Sequence, residues 1–409
     1  MSGASPTFAG LWAELEPLGR DTGTGGYRRY SWTPADAACR AWFTRQAEKR
    51  GLSVETDNNG NLWAWPGRKT ADAVVTGSHL DSVPDGGGFD GALGVVTALA
   101  AVDLLREKSI DTERSVVLAV LTEEEGARFG VPCLGSRLLT GALDPDAARA
   151  LADDTGTTLA EAMTAAGHDP GRLGARDDLL DGIGAFVELH VEQGRALAPA
   201  GAAVGLAEGI WPHGRWRLEF RGRADHAGTA RLADRRDPML PYASTVLAAR
   251  RAAAANGAVA TVGKVIAEPN GTNAVPSAVR AWLDVRAPDE ATLLGAVTTV
   301  RSAAERFSTE HGVELDVRQE SYTPLVRFDR DLRDRAAGAL AVAGVQAPVL
   351  PTGAGHDAGV LAARVPAAML FVRNPTGISH SPAEHAEPAD CEAGVRALAA
   401  VLADLAGAK

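Results

Sequence analysis

Four β-rich stretches of this chain run without a break into clusters of ionisable residues, and that pattern restricts the fold more than any other feature. Ala73–Thr76 leads into GSHLDSV, which carries His79 and Asp81. Ser115–Leu121 leads into TEEEGARFG, with Glu123, Glu124 and Glu125. Ala185–Leu189 ends in ELHVEQG, with Glu188, His190, Glu192 and Gln193, and Ala367–Val372 leads through NPTGISH to His380. Alanine-rich stretches such as Val95–Lys108 and Gly394–Leu405 read as helices. This alternation predicts an α/β layer structure with a largely parallel sheet. In an open parallel sheet the carboxyl ends of the strands lie along one edge, where ligands bind. Four segments distant in sequence are therefore expected to converge.

Between about Trp211 and Thr323 the rhythm changes. Arg215–Phe220, Ala258–Ile266, Ala278–Val285 and Glu314–Val317 are strand-like, and Pro238–Ala255 and Glu290–Arg306 are helical. The order β-α-β-β-α-β describes a small ferredoxin-like α+β unit. The α/β pattern resumes afterwards, so the expected division is residues 1–210 and 324–409 for a catalytic domain, with 211–323 inserted. No internal repeat or low-complexity linker interrupts it.

A chain of 409 residues with a net charge of −11 lacks the basic face of a nucleic-acid-binding protein. Its start, MSGASPTFAGLWAELEPLG, has neither the charged stretch nor the apolar core of a secretory signal. The longest apolar run, Ala92 to Leu105, is broken by Asp103 and is too short for a bilayer. Cys39, Cys133 and Cys391 are odd in number and form no CxxC pair, which fits a reducing compartment. A cytoplasmic protein without membrane contact is the expectation.

The loop PDGGGFDG adds Asp90, eleven residues after His79. Its glycines permit tight turns that aim a carboxylate inward. Imidazoles and carboxylates together suit zinc and related divalent ions. His79, Asp90, Glu125, His190 and His380 suffice for two ions if one carboxylate bridges, and ions about 3.5–4 Å apart can share a water and polarise a carbonyl. Taken singly, a strand-end His is an ordinary hydrogen-bonded residue, and three adjacent glutamates are an ordinary solvated turn. Their joint occurrence points to metal. Gly86, Gly88 and Gly91 also fit GxGxxG, but the preceding strand ends about ten residues too early for a dinucleotide turn. HExxH, GxSxG and Walker A patterns are absent.

GSHLDSV, GGGFDGALGV, TEEEGARFG, ELHVEQG, DHAGT, TGAGHDA and GISHSPAEH, in this order, resemble the hydantoinase/carbamoylase group of the M20 metallopeptidase superfamily. The resemblance runs from about Gly19 to Gly394. It implies that Asp90 bridges two divalent ions, zinc first, with manganese, cobalt or nickel as alternatives. One ion would add His79 and His190, the other Glu125 and His380. Asp81 would hydrogen-bond the His79 imidazole, and Glu124 would be the general base that deprotonates the metal-bridging water and passes the proton to the leaving nitrogen. The inserted domain would serve as lid and homodimerisation surface. His226 would stabilise the oxyanion. Asn273, Arg286 and Arg215 would contact the substrate, and Gln193 its ureido head. His356 would line the pocket or support the metal shell. For the arginines, a surface salt bridge is the competing reading.

The chain departs from the family after HAGT, where Ala230, Arg231 and Leu232 replace TPM. It departs again at Arg373, where many members have an uncharged residue. Both segments are expected near the tail of the substrate. The favoured activity is hydrolysis of the carbamoyl group of a small N-carbamoyl-L-amino-acid-like carboxylate, allantoate leading. The alternatives are an N-formyl- or N-acyl-L-amino-acid amidohydrolase, or a metal-binding scaffold that has lost catalysis. HVEQG resembles the ureido-cleaving branch more than the peptidase branches.

Overall fold

Strands that are apolar on both faces form the middle of the main sheet, as expected where helices cover both sides. In the computed structural model, which describes residues 7–67 and 69–408, the strands before the insertion are β1 (Ser53–Thr56), β2 (Leu62–Trp65), β3 (Ala73–His79), β4 (Val116–Leu121), β5 (Ile183–Val191) and β6 (Val204–Ile210). Next come β7 (His213–Arg221), β8 (Asp225–His226), β9 (Val259–Glu268), β10 (Ala274–Val275), β11 (Ala278–Arg286) and β12 (Glu314–Thr323). The chain returns through β13 (Val326–Arg327), β14 (Val349–Thr352) and β15 (Ala367–Val372). Two compact units result, one reaching to Glu208 and resuming at Arg327, the other Gly209–Val326.

In the first unit the strand order is β1-β2-β4-β3-β5-β15-β6-β13, with β14 beside β6. The central run β4-β3-β5-β15 is parallel, and antiparallel strands flank it at β2 and β6. Helices α1 (Ala92–Glu107) and α2 (Pro388–Leu405) share one core with inward residues of this run, including Val74, Leu118, Val187 and Leu370. The register decides what meets at the carboxyl edge. His79 lies beside Leu121, two residues before the first of the glutamates, and His190 lies beside Phe371.

The second unit is built from β7, helix Met239–Asn256, β9, β11, helix Glu290–Glu310 and β12. Its sheet, β12-β7-β11-β9, is antiparallel throughout. The strict alternation of buried and part-exposed residues along β11 shows why: one face meets the two helices and the other meets water. Trp216, Leu218, Phe220, Leu283, Leu293 and Val300 form that core. A short ribbon, β8 with β10, carries His226 opposite Ala274. Among the described residues no helix is long and apolar enough to cross a membrane.

Candidate active site

At the carboxyl edge of the parallel run, three strand ends and two loops bring the predicted metal-binding side chains together. His79 closes β3, His190 lies one residue before the end of β5, and Glu123–Glu125 directly follow β4 and Thr122. Asp90 stands just ahead of α1. Gly91 between them takes φ +65°, and a Cβ there would collide with the His79 ring, so only glycine lets this loop pass. His380 arrives on the loop after β15, itself with φ +54°.

The donors fall into two sets that share Asp90. His79, Asp90 and His190 form one, and Asp90, Glu125 and His380 the other, each with ligand atoms within 4.8 Å of one another. Asp90 Oδ1 lies 3.1 Å from His190 Nε2 and 3.5 Å from His79 Nε2, while Oδ2 lies 3.4 Å from His380 Nε2. Glu125 Oε2 is 3.6 Å from the same His380 nitrogen. The Nδ1 atoms of His79 and His190 face the carbonyl oxygens of Asp81 and Val191, at 3.1 and 2.9 Å. A carbonyl only accepts, so both Nδ1 atoms are protonated, and Nε2 is the nitrogen left to act as a ligand when it carries no proton.

The electrostatics fit a cation. Burial pushes the Glu125 carboxyl well above its ordinary range and Asp90 adds to this. Burial does the same to Glu124; His79 opposes it and Glu125 and Asp357 reinforce it. Burial works against a charged His79, yet Glu124, Asp81 and Asp90 outweigh it and hold its pKa well above the usual imidazole value. Among the described residues, His79 Nε2 and Glu125 Oε1 are buried without a hydrogen-bond partner. A buried excess of carboxylates around such atoms is what divalent ions neutralise, so these residues fit metal.

Glu124 belongs to neither donor set. Its Oε2 lies 3.7 Å from His79 Nε2, and its Oε1 accepts the Cys133 thiol at 3.5 Å. Cys133 was not among the residues singled out in the sequence, where it is a lone cysteine twelve residues beyond the strand. Asp81 contacts more than the His79 ring. Its carboxylate stands 3.5 Å from His79 Nδ1, but its closer contacts, 3.1 Å each, are the backbone N–H groups of Glu124 and Glu125. The Asp81 side chain thus orients the glutamate pair, and its carbonyl orients the imidazole.

Gln193 sits against the donors, with Nε2 at 2.9 Å from Asp90 Oδ2, 3.1 Å from Ser379 Oγ and 3.2 Å from His380 Nε2. His356 is buried behind His190, with ring centroids 4.5 Å apart. Arg373, the second departure from the family, is engaged in an ion pair. Its guanidinium forks onto Asp390 at the start of α2, at 2.8 and 2.9 Å, because that carboxylate is nearly buried and needs a partner.

The remaining predicted residues lie in the second unit, in two groups. Arg215 and Arg286 both pair with Asp284, at 3.3 and 2.9 Å, so the salt-bridge reading describes what each contacts here. His226 and Asn273 are neighbours, the Asn273 carbonyl accepting the Ala227 N–H at 2.9 Å. The exposed His226 ring accepts the backbone N–H groups of Gly228 and Thr229 at Nδ1, at 3.0 and 3.2 Å. Of the unusual residues after HAGT, Arg231 pairs with Asp234 and Leu232 is 83% exposed.

Comparison with known proteins identifies the family. Peptidase family M20/M25/M40 matches residues 75–404. The chain is 36% identical to an N-carbamoyl-L-amino acid amidohydrolase of Geobacillus stearothermophilus, over 95% of this chain and 96% of that protein. It is 32% identical to an allantoate amidohydrolase of Escherichia coli K12, over 97% and 96%. A crystal structure of an amidase of the hydantoinase/carbamoylase family from Burkholderia vietnamiensis superposes with a TM-score of 0.89 at 30% identity, covering 99% of each chain. With strand ends, donor sets and relatives in agreement, the chain belongs to peptidase family M20/M25/M40, in its hydantoinase/carbamoylase branch.

Proposed function

We propose that this amidohydrolase cleaves the carbamoyl amide of a small N-carbamoyl-L-amino-acid-like acid, with allantoate the leading candidate. The observation that carries the reading is the pair of donor sets sharing Asp90, with Glu124 beside them and outside both. In this reading His79, Asp90 and His190 hold one divalent ion and Asp90, Glu125 and His380 a second. Zinc suits these ligands, and manganese, cobalt or nickel are alternatives. When bound, the ions polarise the substrate carbonyl and acidify water.

The chain's own residues supply the rest. Glu124 removes a proton from the attacking water and returns it to the nitrogen of the breaking C–N bond. Asp81 holds Glu124 in line through the backbone. Gln193 presents its amide to the ureido head. His226, with Nδ1 occupied as an acceptor, carries its proton on Nε2 and donates it in a hydrogen bond to the developing oxyanion. Arg286 and Arg215 are proposed to receive the substrate carboxylate in exchange for Asp284, and Asn273 to add a polar contact. We assign the inserted unit the roles of lid and dimer surface. In support, β9 is an unpaired edge of its sheet, and Leu240, Leu247 and Val265 are exposed on that unit.

The test is to assay metal-loaded protein against allantoate, N-carbamoyl-L-amino acids and their N-formyl and N-acetyl counterparts. Ammonia, formate, acetate and free amine are measured separately. Ammonia released from the carbamoyl substrates is expected. Amine accompanied by formate or acetate, without ammonia from any carbamoyl substrate, would replace this reading with the acyl alternative.

A further inference from the structure

One buried carboxylate joins the two loops that carry Asp90 and His380, and none of the roles above uses it. Glu384 is 5% exposed. Its Oε2 accepts the backbone N–H groups of Phe89 and Asp90, both at 3.0 Å. Its Oε1 accepts the hydroxyl of Ser379, the neighbour of His380, at 3.1 Å. Ser379 Oγ in turn accepts the Gln193 amide at 3.1 Å, and the same amide reaches Asp90 Oδ2 and His380 Nε2.

The chain of bonds has a direction. A carboxylate only accepts, so Ser379 must give its proton to Glu384 and keep its lone pairs for Gln193. Two N–H groups converging on one oxygen fix the peptide before Asp90 and hence where its side chain starts. That side chain must serve two donor sets at once, Oδ1 toward the histidines of the strand ends and Oδ2 toward His380. A small rotation of the loop would improve one set at the expense of the other. The opposite wall is shaped to match: a Cβ on Gly87 would collide with the Glu384 side chain, although the Gly87 backbone lies outside the left-handed region. Glycine there makes room for the carboxylate and is not required by the turn.

We propose that Glu384 is a positioning residue that locks the Asp90 loop to the His380 loop, so that both ions of the pair are held with comparable affinity. The proposal rests on the two-ion reading above. Partners of this kind, one bond away from a ligand, are worth about 10–100-fold in metal affinity.

The experiment measures Co²⁺ binding to the full-length chain by chelator competition and by its visible absorption, alongside circular dichroism. Wild-type protein is expected to take two Co²⁺ per chain. Fewer than two in wild type would overturn the two-ion reading, and with it this proposal. Given two, Glu384→Ala is expected to bind at least one ion about tenfold or more weakly, with an altered Co²⁺ spectrum. Glu384→Gln keeps one carbonyl oxygen for the two N–H groups and should recover most of the loss. Gly87→Ala, whose backbone tolerates alanine, should reproduce the defect by displacing Glu384, and adding it to Glu384→Ala should cost nothing further. A folded Glu384→Ala protein with wild-type affinities and spectrum overturns the proposal while leaving the two-ion site standing. If Glu384→Ala does not fold, Gly87→Ala decides alone: wild-type Co²⁺ binding by that variant overturns the proposal.

Discussion

Replacing Glu124 by Gln isolates the proton-transfer step from everything else the site does. Glu124 is 6% exposed, and its two oxygens face the Cys133 thiol at 3.5 Å and the His79 imidazole at 3.7 Å. A glutamine fills the same volume, and its amide oxygen can still accept the thiol. Neither donor set includes Glu124, so both ions should bind as before. Burial and the neighbouring carboxylates already lift the Glu124 pKa well above the ordinary range, against the opposing pull of His79, so a neutral side chain suits this position in the metal-free protein. Folding stability should therefore hold or rise. What disappears is the carboxylate to which the proposed mechanism assigns proton transfer. Loss of a general base costs two to four orders of magnitude in rate, or about 3–5 kcal/mol in the barrier. The assay is steady-state kcat on the best carbamoyl substrate, with metal content by mass spectrometry and a thermal melt on the same sample. A metal-replete, folded Glu124→Gln protein turning over within about threefold of wild type would falsify the mechanism.

Asp90→Asn strikes both donor sets at once and should lower metal content from two ions to one or none, as measured by elemental analysis after dialysis. Arg286→Lys should raise KM on carboxylate substrates by about tenfold, because an ammonium cannot form a bidentate fork. Equal effects on an amidated analogue would argue against carboxylate recognition. His226→Ala should bind metal normally and lose about 3–4 kcal/mol of transition-state stabilisation, seen in kcat; unchanged turnover would remove it from the mechanism. Asp357, fully buried beside Glu188, has its pKa raised from 3.8 to about 7, chiefly by burial. A raised folded-state pKa means that its stabilising contribution is present below the unfolded value and is lost as pH climbs through about 7. Asp357→Asn should therefore flatten the decline in melting temperature between about pH 4 and 8, and an unchanged slope would assign the decline to other groups.

The strand ends were legible because buried parallel strands are nearly all apolar, so a polar residue at the end of one stands out against its background. His79, His190 and the run Glu123–Glu125 are each flagged in this way, and the glycines around Asp90 flag the loop. What the sequence could not convey was which atom of a residue would act. Asp81 was correctly placed beside His79, yet its carboxylate prefers two backbone N–H groups that belong to the next loop. Arg373 stood out as an added charge, and its pairing with Asp390, seventeen residues on, was not legible in the sequence. Cys133 stood outside every motif, and Glu384 lay inside GISHSPAEH with nothing to mark it apart from its neighbours. Their contacts, with Glu124 and with the backbone at Asp90, arise from loop returns that no periodicity encodes. Local composition marks where a site lies, whereas the supporting bonds depend on tertiary closure.

The histidines show how far such supporting bonds decide function. His79 and His190 each point Nδ1 at a carbonyl oxygen, so the neutral ring is left with a lone pair on Nε2. His226 has the reverse arrangement: two backbone N–H groups point at its Nδ1, and the ring's proton is left on Nε2. The side chain is the same in all three cases, but in the first two a neutral ring presents an acceptor at Nε2, which in His190 already takes the Gly91 N–H at 3.1 Å, and in the third it presents a donor there. The difference is set within one to three residues of each ring, by the carbonyls of Asp81 and Val191 and by the turn at Gly228–Thr229. A ligand role for His226 would need that turn undone, and a donor role for His190 at Nε2 would need its bond to Val191 broken. Backbone contacts of this kind suit His79 and His190 to the proposed ligand role and His226 to the proposed oxyanion contact.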